Sequence, residues 1–180
     1  SLPTYGGGLK ELSDELAERV RKIEDDLRAA GSVVVAFSGG VDSTTVAAIA
    51  HRALGDDAVA VTAVSETLPD RELRQAEAVA DDIGIRHKKM SFSELEDPRF
   101  RANTSARCFF CQSMRFEQLA SIAERVDCDM LASGTNASDA GDHRPGLEAM
   151  EQQGVYQPLL EYDIPKSGVR QVARALGLSV

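Results

Sequence analysis

The sequence predicts an α/β fold, a doubly wound and mostly parallel sheet, and three observations carry that prediction. The first is the run V-V-V-A-F at 33–37, which stops at Gly39 and Gly40 and gives way to helical spacing in T-T-V-A-A-I-A-H-R. A buried parallel strand has this pattern where it turns sharply into a helix. The second is A-V-A-V-T-A-V at 58–64. With the first strand and the helix between them it makes a βαβ unit of about 30 residues, with parallel strands and a right-handed crossover. The third is another strand that ends at a glycine and hydroxyls, Ser133-Gly134-Thr135-Asn136. Ligands in such sheets bind beyond the carboxyl ends of the strands.

The length of 180 residues fits one domain, which can bury roughly 70% of the unfolded chain's surface. No apolar run is long enough for a membrane span and no signal peptide is visible, so a cytoplasmic protein is expected. The net charge is −9, and Arg outnumbers Lys by 15 to 5. An acidic surface repels phosphate backbones, which argues against a large nucleic-acid partner. Three cysteines, an odd number, do not make a disulfide framework.

Residues 1–8 read as a flexible arm because of Gly6-Gly7-Gly8. Residues 9–30 form an amphipathic helix, with Leu9, Leu12, Leu16, Val20, Ile23 and Leu27 at helical intervals and Gly31 as its stop. After the first strand, 42–54 is a helix closed by Gly55, and 70–83 is a third helix between Pro69 and Gly84. A third strand, 85–92, has polar interruptions. His87 at its end and His51 late on the second helix read as surface histidines, not catalysts. Residues 97–106 are a polar loop with Arg99 and Arg101, and 112–126 is helical with Leu119, Ile122 and Val126 inward. Cys128 reads as a buried small hydrophobe before a fourth strand at 129–132. Turn formers fill 137–147, and 147–153 spans one or two helical turns. Residues 157–160 are expected to be extended, with Pro158 on a sheet edge. The last helix is 166–176, with Val169, Val172, Ala173 and Leu176 inward and Gly177 as its cap.

The chemistry centres on Ser38, Gly39, Gly40, Val41, Asp42 and Ser43. The glycines let the backbone turn and let a ligand approach bare amides. The following helix begins with unpaired N–H groups and a partial positive charge, a ready site for a nucleotide phosphate. This is not a Walker A loop, which needs four residues between its glycines and a Lys before the Ser or Thr. S-G-G-V-D-S resembles instead the PP-loop of the ATP pyrophosphatases, which implies cleavage of ATP between its α and β phosphates. It also implies that the backbone at Thr62, Ala63 and Val64 meets the adenine, with Ser65-Glu66-Thr67 near the adenosine.

Two further stretches narrow the resemblance. They are Arg107-Cys108-Phe109-Phe110-Cys111 and Gly134-Thr135-Asn136-Ala137-Ser138-Asp139, the latter continued by Gly141-Asp142-His143-Arg144-Pro145-Gly146 and ending in Gln157-Pro158-Leu159. With the phosphate loop, they make the chain similar to the LarE family of ATP-dependent sacrificial sulfur transferases from residue 9 to residue 180. That resemblance implies a PP-loop fold of the adenine-nucleotide alpha-hydrolase kind over 9–180 and a role in making a nickel-pincer nucleotide cofactor. It implies that a carboxylate on a pyridinium nucleotide is adenylated and that sulfur then replaces the adenylate. In some members the sulfur comes from a protein Cys that becomes dehydroalanine; in others three cysteines hold a 4Fe–4S cluster carrying an extra sulfide. The implied cofactors are ATP, Mg²⁺ and a 4Fe–4S cluster, and the implied assembly is a homo-oligomer.

Carried onto this chain, Ser38 to Ser43, Gly134 and Thr135 meet the nucleotide. Arg107 and Arg144 clamp a phosphate or carboxylate bidentately, and Asp139 helps hold Mg²⁺. Cys108 and Cys111, at C-x-x-C spacing, are candidate iron–sulfur ligands, although thiolates so spaced also bind zinc or form a redox pair. The family's third cluster Cys and several substrate-facing arginines are expected beyond residue 180. Gln112 stands where many relatives have Lys, which removes a positive charge near the reaction. The phosphate loop alone also allows an NAD or GMP synthetase-like ligase, a tRNA thiolase or a non-catalytic ATP-binding module.

Overall fold

The computed structural model describes residues 12–64, 69–91, 130–134 and 156–178. The expected arm at 1–8, the segment 65–67, the loop, cysteine pair and helix between 97 and 126, Cys128, and the turn-rich stretch 137–153 lie outside the described residues.

Helix α1 spans Asp14–Ala30. It was expected to begin at residue 9, but Ser13 caps it: the Ser13 hydroxyl accepts from the Leu16 amide at 3.3 Å, and Leu12 lies ahead of the helix. Asp14 and Glu15 in the first turn complement the positive end of the helix. Leu16, Ala17, Val20, Ile23 and Leu27 are buried on one face. Gly31, at φ 89°, ends the helix by donating its N–H to the Leu27 carbonyl at 3.0 Å.

Strand β1 (Val33–Ala36) leads through the glycine turn into helix α2 (Val41–Leu54), and a 3₁₀ turn, Gly55–Asp57, passes to strand β2 (Ala58–Val64). Helix α3 (Asp70–Ile83) leads to strand β3 (Arg86–Ser91). Strand β4 is Leu131–Ala132. The sheet order is β3-β2-β1-β4, and every pairing is parallel. Successive βαβ units wind from β1 toward β3, whereas β4 lies on the other side of β1. The order therefore reverses between β1 and β4, and that reversal opens the crevice where α/β sheets take their ligands.

Beyond β4, Tyr156 makes a single parallel bridge to Ala132. The stretch expected to be extended after it is instead one helical turn, α4 (Pro158–Glu161). Pro158 holds the first helical position, where its fixed φ fits and its missing N–H is not needed. The turn places Leu159 fully inside. Helix α5 (Lys166–Ala175) buries Val169, Val172 and Ala173, and Leu176 follows just past its end.

The core joins α1, α2, α3, α5 and the sheet through Val20, Ile23, Leu27, Val33, Val35, Ile49, Ile83, Ile164 and Leu176. α2 is buried over most of its first ten residues, so its sequence lacks a strong polar face.

Candidate active site

The turn after β1 is set by its backbone. Phe37 donates its N–H to the Val61 carbonyl at 2.9 Å, and the Phe37 carbonyl accepts the Thr62 hydroxyl at 2.8 Å. Gly39 then takes φ 83°, a left-handed conformation that side chains disfavour. A Cβ at this position would lie 3.0 Å from the Ala76 Cα on α3. The glycine thus provides both the turn and the close approach of a helix.

Gly40 is the N-cap of α2 and offers no side-chain cap. The Thr44 amide bonds to the Gly40 carbonyl at 3.0 Å, the first helical bond. The amides of Val41, Asp42 and Ser43 precede it and have no acceptor within the helix. Ser43 organises the loop from inside. Its Oγ accepts from the Ser38 amide at 3.1 Å and lies 3.1 Å from the Ser38 hydroxyl. The Ser38 hydroxyl in turn accepts from the Gly40 amide at 3.4 Å. The result is a closed turn with the positive end of a helix behind it.

The end of β4 presses against this turn. A Cβ on Gly134 would stand 2.7 Å from the Ser43 amide nitrogen and 2.9 Å from the Ser43 Cα. Only a glycine allows the end of β4 to come so close to the first turn of α2. Thr62, Ala63 and Val64 run past the end of β1, whose last paired residue on β2 is Val61, and pair with Lys89, Met90 and Ser91 of β3. They thus form one wall of the same edge. The Thr62 side chain is buried and committed to supporting the loop.

Asp42 receives Lys166 from the start of α5: Nζ donates to Oδ2 at 2.9 Å. The other carboxylate oxygen, Oδ1, is buried and has no hydrogen-bond partner among the described residues. Sequence reasoning missed Lys166. A signal existed: a cation in the first turn of α5 opposes the helix dipole, and such an exception to a local rule often marks a site.

The two histidines correct the sequence reading. His87 is not a surface residue at a strand end. It is half-buried, its Nε2 lies 2.8 Å from the Thr62 hydroxyl, and its ring meets the Phe37 edge at 5.6 Å between centroids. Burial holds its pKa below the usual value, opposed by Glu77 and Asp81 and assisted by Lys89. His51 is buried as well, because α2 is enclosed almost to its last turn. Of the other expected site residues, Arg107, Cys108, Cys111, Thr135, Asp139 and Arg144 lie outside the described residues.

The family model described as NAD synthase matches residues 9–130. The chain belongs to that family. Within it the sequence is LarE-like. It is 35% identical over 148 residues to pyridinium-3,5-bisthiocarboxylic acid mononucleotide synthase of Lactiplantibacillus plantarum, a match covering 82% of this chain and 54% of that protein. An uncharacterized protein of Synechocystis is 42% identical over 145 residues, covering 81% of this chain and 54% of the relative. The chain therefore spans about half the length of these curated relatives. An NH3-dependent NAD synthetase from Campylobacter jejuni superposes with a TM-score of 0.70 at 18% identity, covering 92% of this chain and 73% of that one. That likeness shows a shared α/β fold.

Proposed function

We propose that this chain is the ATP-binding and adenylating part of a sulfur transferase acting on a pyridinium mononucleotide. The observation that carries this is the turn of Ser38 to Ser43, with uncapped amides at the sheet's reversal point and Gly134 packed against it. The name of the Lactiplantibacillus plantarum relative supplies the substrate class.

A carboxylate is a poor electrophile. In this reading one of its oxygens attacks the α-phosphorus of ATP, the bond to the β-phosphate oxygen breaks, and pyrophosphate leaves. A sulfur nucleophile then adds at the activated carbonyl and AMP departs, leaving a thiocarboxylate. The amides of the α2 terminus stabilise the charge that grows on the departing phosphates. Arg107 and Arg144 orient the substrate anions, and the ends of β2 and β4 hold the adenosine.

The residues present fit Mg²⁺: Asp42 Oδ1 is a buried acceptor without a partner among the described residues, suited to a hard cation beside the phosphates. Asp139 is proposed as a second oxygen ligand. When bound, the ion neutralises phosphate charge. Cys108 and Cys111 are proposed as two thiolate ligands of a 4Fe–4S cluster, a donor chemistry that iron accepts but a set that two residues do not complete. Cluster-binding thiolates and an ATP-consuming reaction suit the reducing cytoplasm. We place the enzyme there as a homo-oligomer without a nucleic-acid partner. Among the described residues no helix is long and apolar enough to cross a membrane.

The test mixes the full-length protein with ATP, Mg²⁺ and a pyridinium mononucleotide carboxylate. Pyrophosphate should appear only when the carboxylate is present, and a thiocarboxylate only in anaerobic preparations that contain iron. No pyrophosphate with any such carboxylate would sink the proposal. The NAD synthase match favours one second reading, an amide-forming ligase. Supplied with ammonia in place of a sulfur source, that enzyme would give a carboxamide, which differs in mass from the thiocarboxylate.

A further inference from the structure

We infer that His87 is a positioning residue for the phosphate loop, acting through Thr62 on the peptide that joins Phe37 to Ser38. This rests on the reading of that loop as the ATP site.

Thr62 has one hydroxyl hydrogen, and it is donated to the Phe37 carbonyl at 2.8 Å. The Thr62 oxygen must therefore accept from His87 at 2.8 Å, which assigns a hydrogen to Nε2 of the imidazole. The Phe37 carbonyl and the Ser38 amide belong to one rigid peptide plane. Holding the carbonyl holds the Ser38 N–H, which donates to Ser43 Oγ at 3.1 Å. One continuous chain of donors thus runs from β3, through β2 and the end of β1, to the first turn of α2. Each bond polarises the next.

The imidazole grips the same residue a second way. Its ring meets the Phe37 ring edge-on, with an interplanar angle of 73°. The Phe37 side chain and its peptide are therefore oriented from one position on a neighbouring strand. Without the imidazole donor, the Thr62 hydroxyl loses one of the two partners that fix its direction, and its bond to the Phe37 carbonyl is free to loosen. The 37–38 peptide then loses its anchor, and the Ser38–Ser43 pair no longer holds one geometry before the phosphates arrive. His87 itself touches no phosphate in this arrangement. Its effect is preorganisation, which appears as nucleotide affinity.

The experiment is an ATP titration with Mg²⁺ by calorimetry on the full-length protein. His87→Phe, which keeps an aromatic ring but loses the donor, should weaken ATP binding about tenfold, and His87→Gln, which returns an N–H at similar reach, should bind within about twofold of the parent. Thr62→Val should lose as much as His87→Phe, and the double variant no more than either, because one chain has been cut twice. Wild-type affinity in His87→Phe, or fully additive losses, would overturn the inference. If His87→Phe does not fold, ¹⁵N spectra of the parent imidazole decide: its Nε2–H signal should shift on saturation with ATP, and an unmoved signal refutes the coupling. A parent protein that ignores ATP sinks the loop reading and this inference together. A parent that binds ATP beside an unaffected His87→Phe sinks only the inference.

Discussion

Gly134 and Gly39 are the residues on which the site geometry is least forgiving. Both meet backbone, not the tip of a flexible side chain, so neither neighbour gives way cheaply. Gly134→Ala must push β4 away from the first turn of α2, and such overpacking costs about 1–3 kcal/mol. Gly39→Ala adds the strain of a left-handed alanine, about 1–2 kcal/mol, to its contact with α3. Urea denaturation should show both losses, and ATP affinity should fall most in Gly134→Ala, where the disturbed atoms include the Ser43 amide. His87 carries a separate signature in pH. Its folded-state pKa lies below the ordinary 6.5, burial being the main cause. Between those two values the unfolded chain holds more protons than the folded one. The stabilising contribution is therefore complete above pH 6.5 and lost as the pH falls toward the folded value. Denaturation midpoints followed below pH 6.5 should decline in the parent and decline less in His87→Gln, which has nothing to titrate. The loop itself was legible in the sequence, because a glycine pair between a β-branched run and helical spacing is a local pattern. His87 and Lys166 were not. One reaches the loop only through the pairing of β3 with β2, and the other only through the docking of α5 on α2.

The elements behave in the same way. α1, α2, α3 and α5 were readable from their helical spacing, and Gly31, Gly55 and Gly84 as stops from their places just after it; each of the three adopts a positive φ. The turn at α4 was not readable, because four residues are too few for a period and Pro158 suits a strand edge as well as a first helical position. Nothing local announced the tie between this region and α1. Tyr156 and Tyr162 both donate their hydroxyls to Asp26 Oδ2, at 2.7 Å and 2.5 Å. The Tyr162 phenol is pushed up to about 12, first by that hydrogen bond and then by burial. Tyr156 is raised too, with burial the larger cause. From pH 10.0 upward the folded chain keeps phenolic protons that the unfolded chain has lost. Stability from this cluster is thus full below pH 10.0 and is lost as the pH rises through the folded values. Asp26→Ala should cost about 1–2 kcal/mol at neutral pH, the lower part of the range for bonds to a charged group because both hydroxyls are only part-buried. It should also flatten the alkaline decline, which urea titrations on either side of pH 10.0 would reveal.

For the whole molecule, the family match ends at residue 130, yet the core does not. Leu159, Ile164, Val169, Val172 and Leu176 are all essentially inaccessible, and they fill the face that α1 and α2 leave open. Burying each contributes about 1.5–3 kcal/mol. Five such side chains equal the whole margin of about 5–15 kcal/mol that keeps a domain folded. A chain stopped at residue 157 should therefore lose its cooperative urea transition and its near-ultraviolet circular dichroism. That outcome alone would not separate burial from the ion pair between Lys166 and Asp42, which the truncation also removes. Lys166→Met separates them: it keeps an apolar stem on α5 and deletes only the charge, so its stability should stay within about 1 kcal/mol of the parent. If the point variant unfolds as fully as the truncated chain, a charge and not the buried face holds the C-terminal helices to the sheet. If the truncated chain keeps a sharp transition, the sheet and first three helices are a complete core, and α4 and α5 serve only to bring Lys166 to the loop.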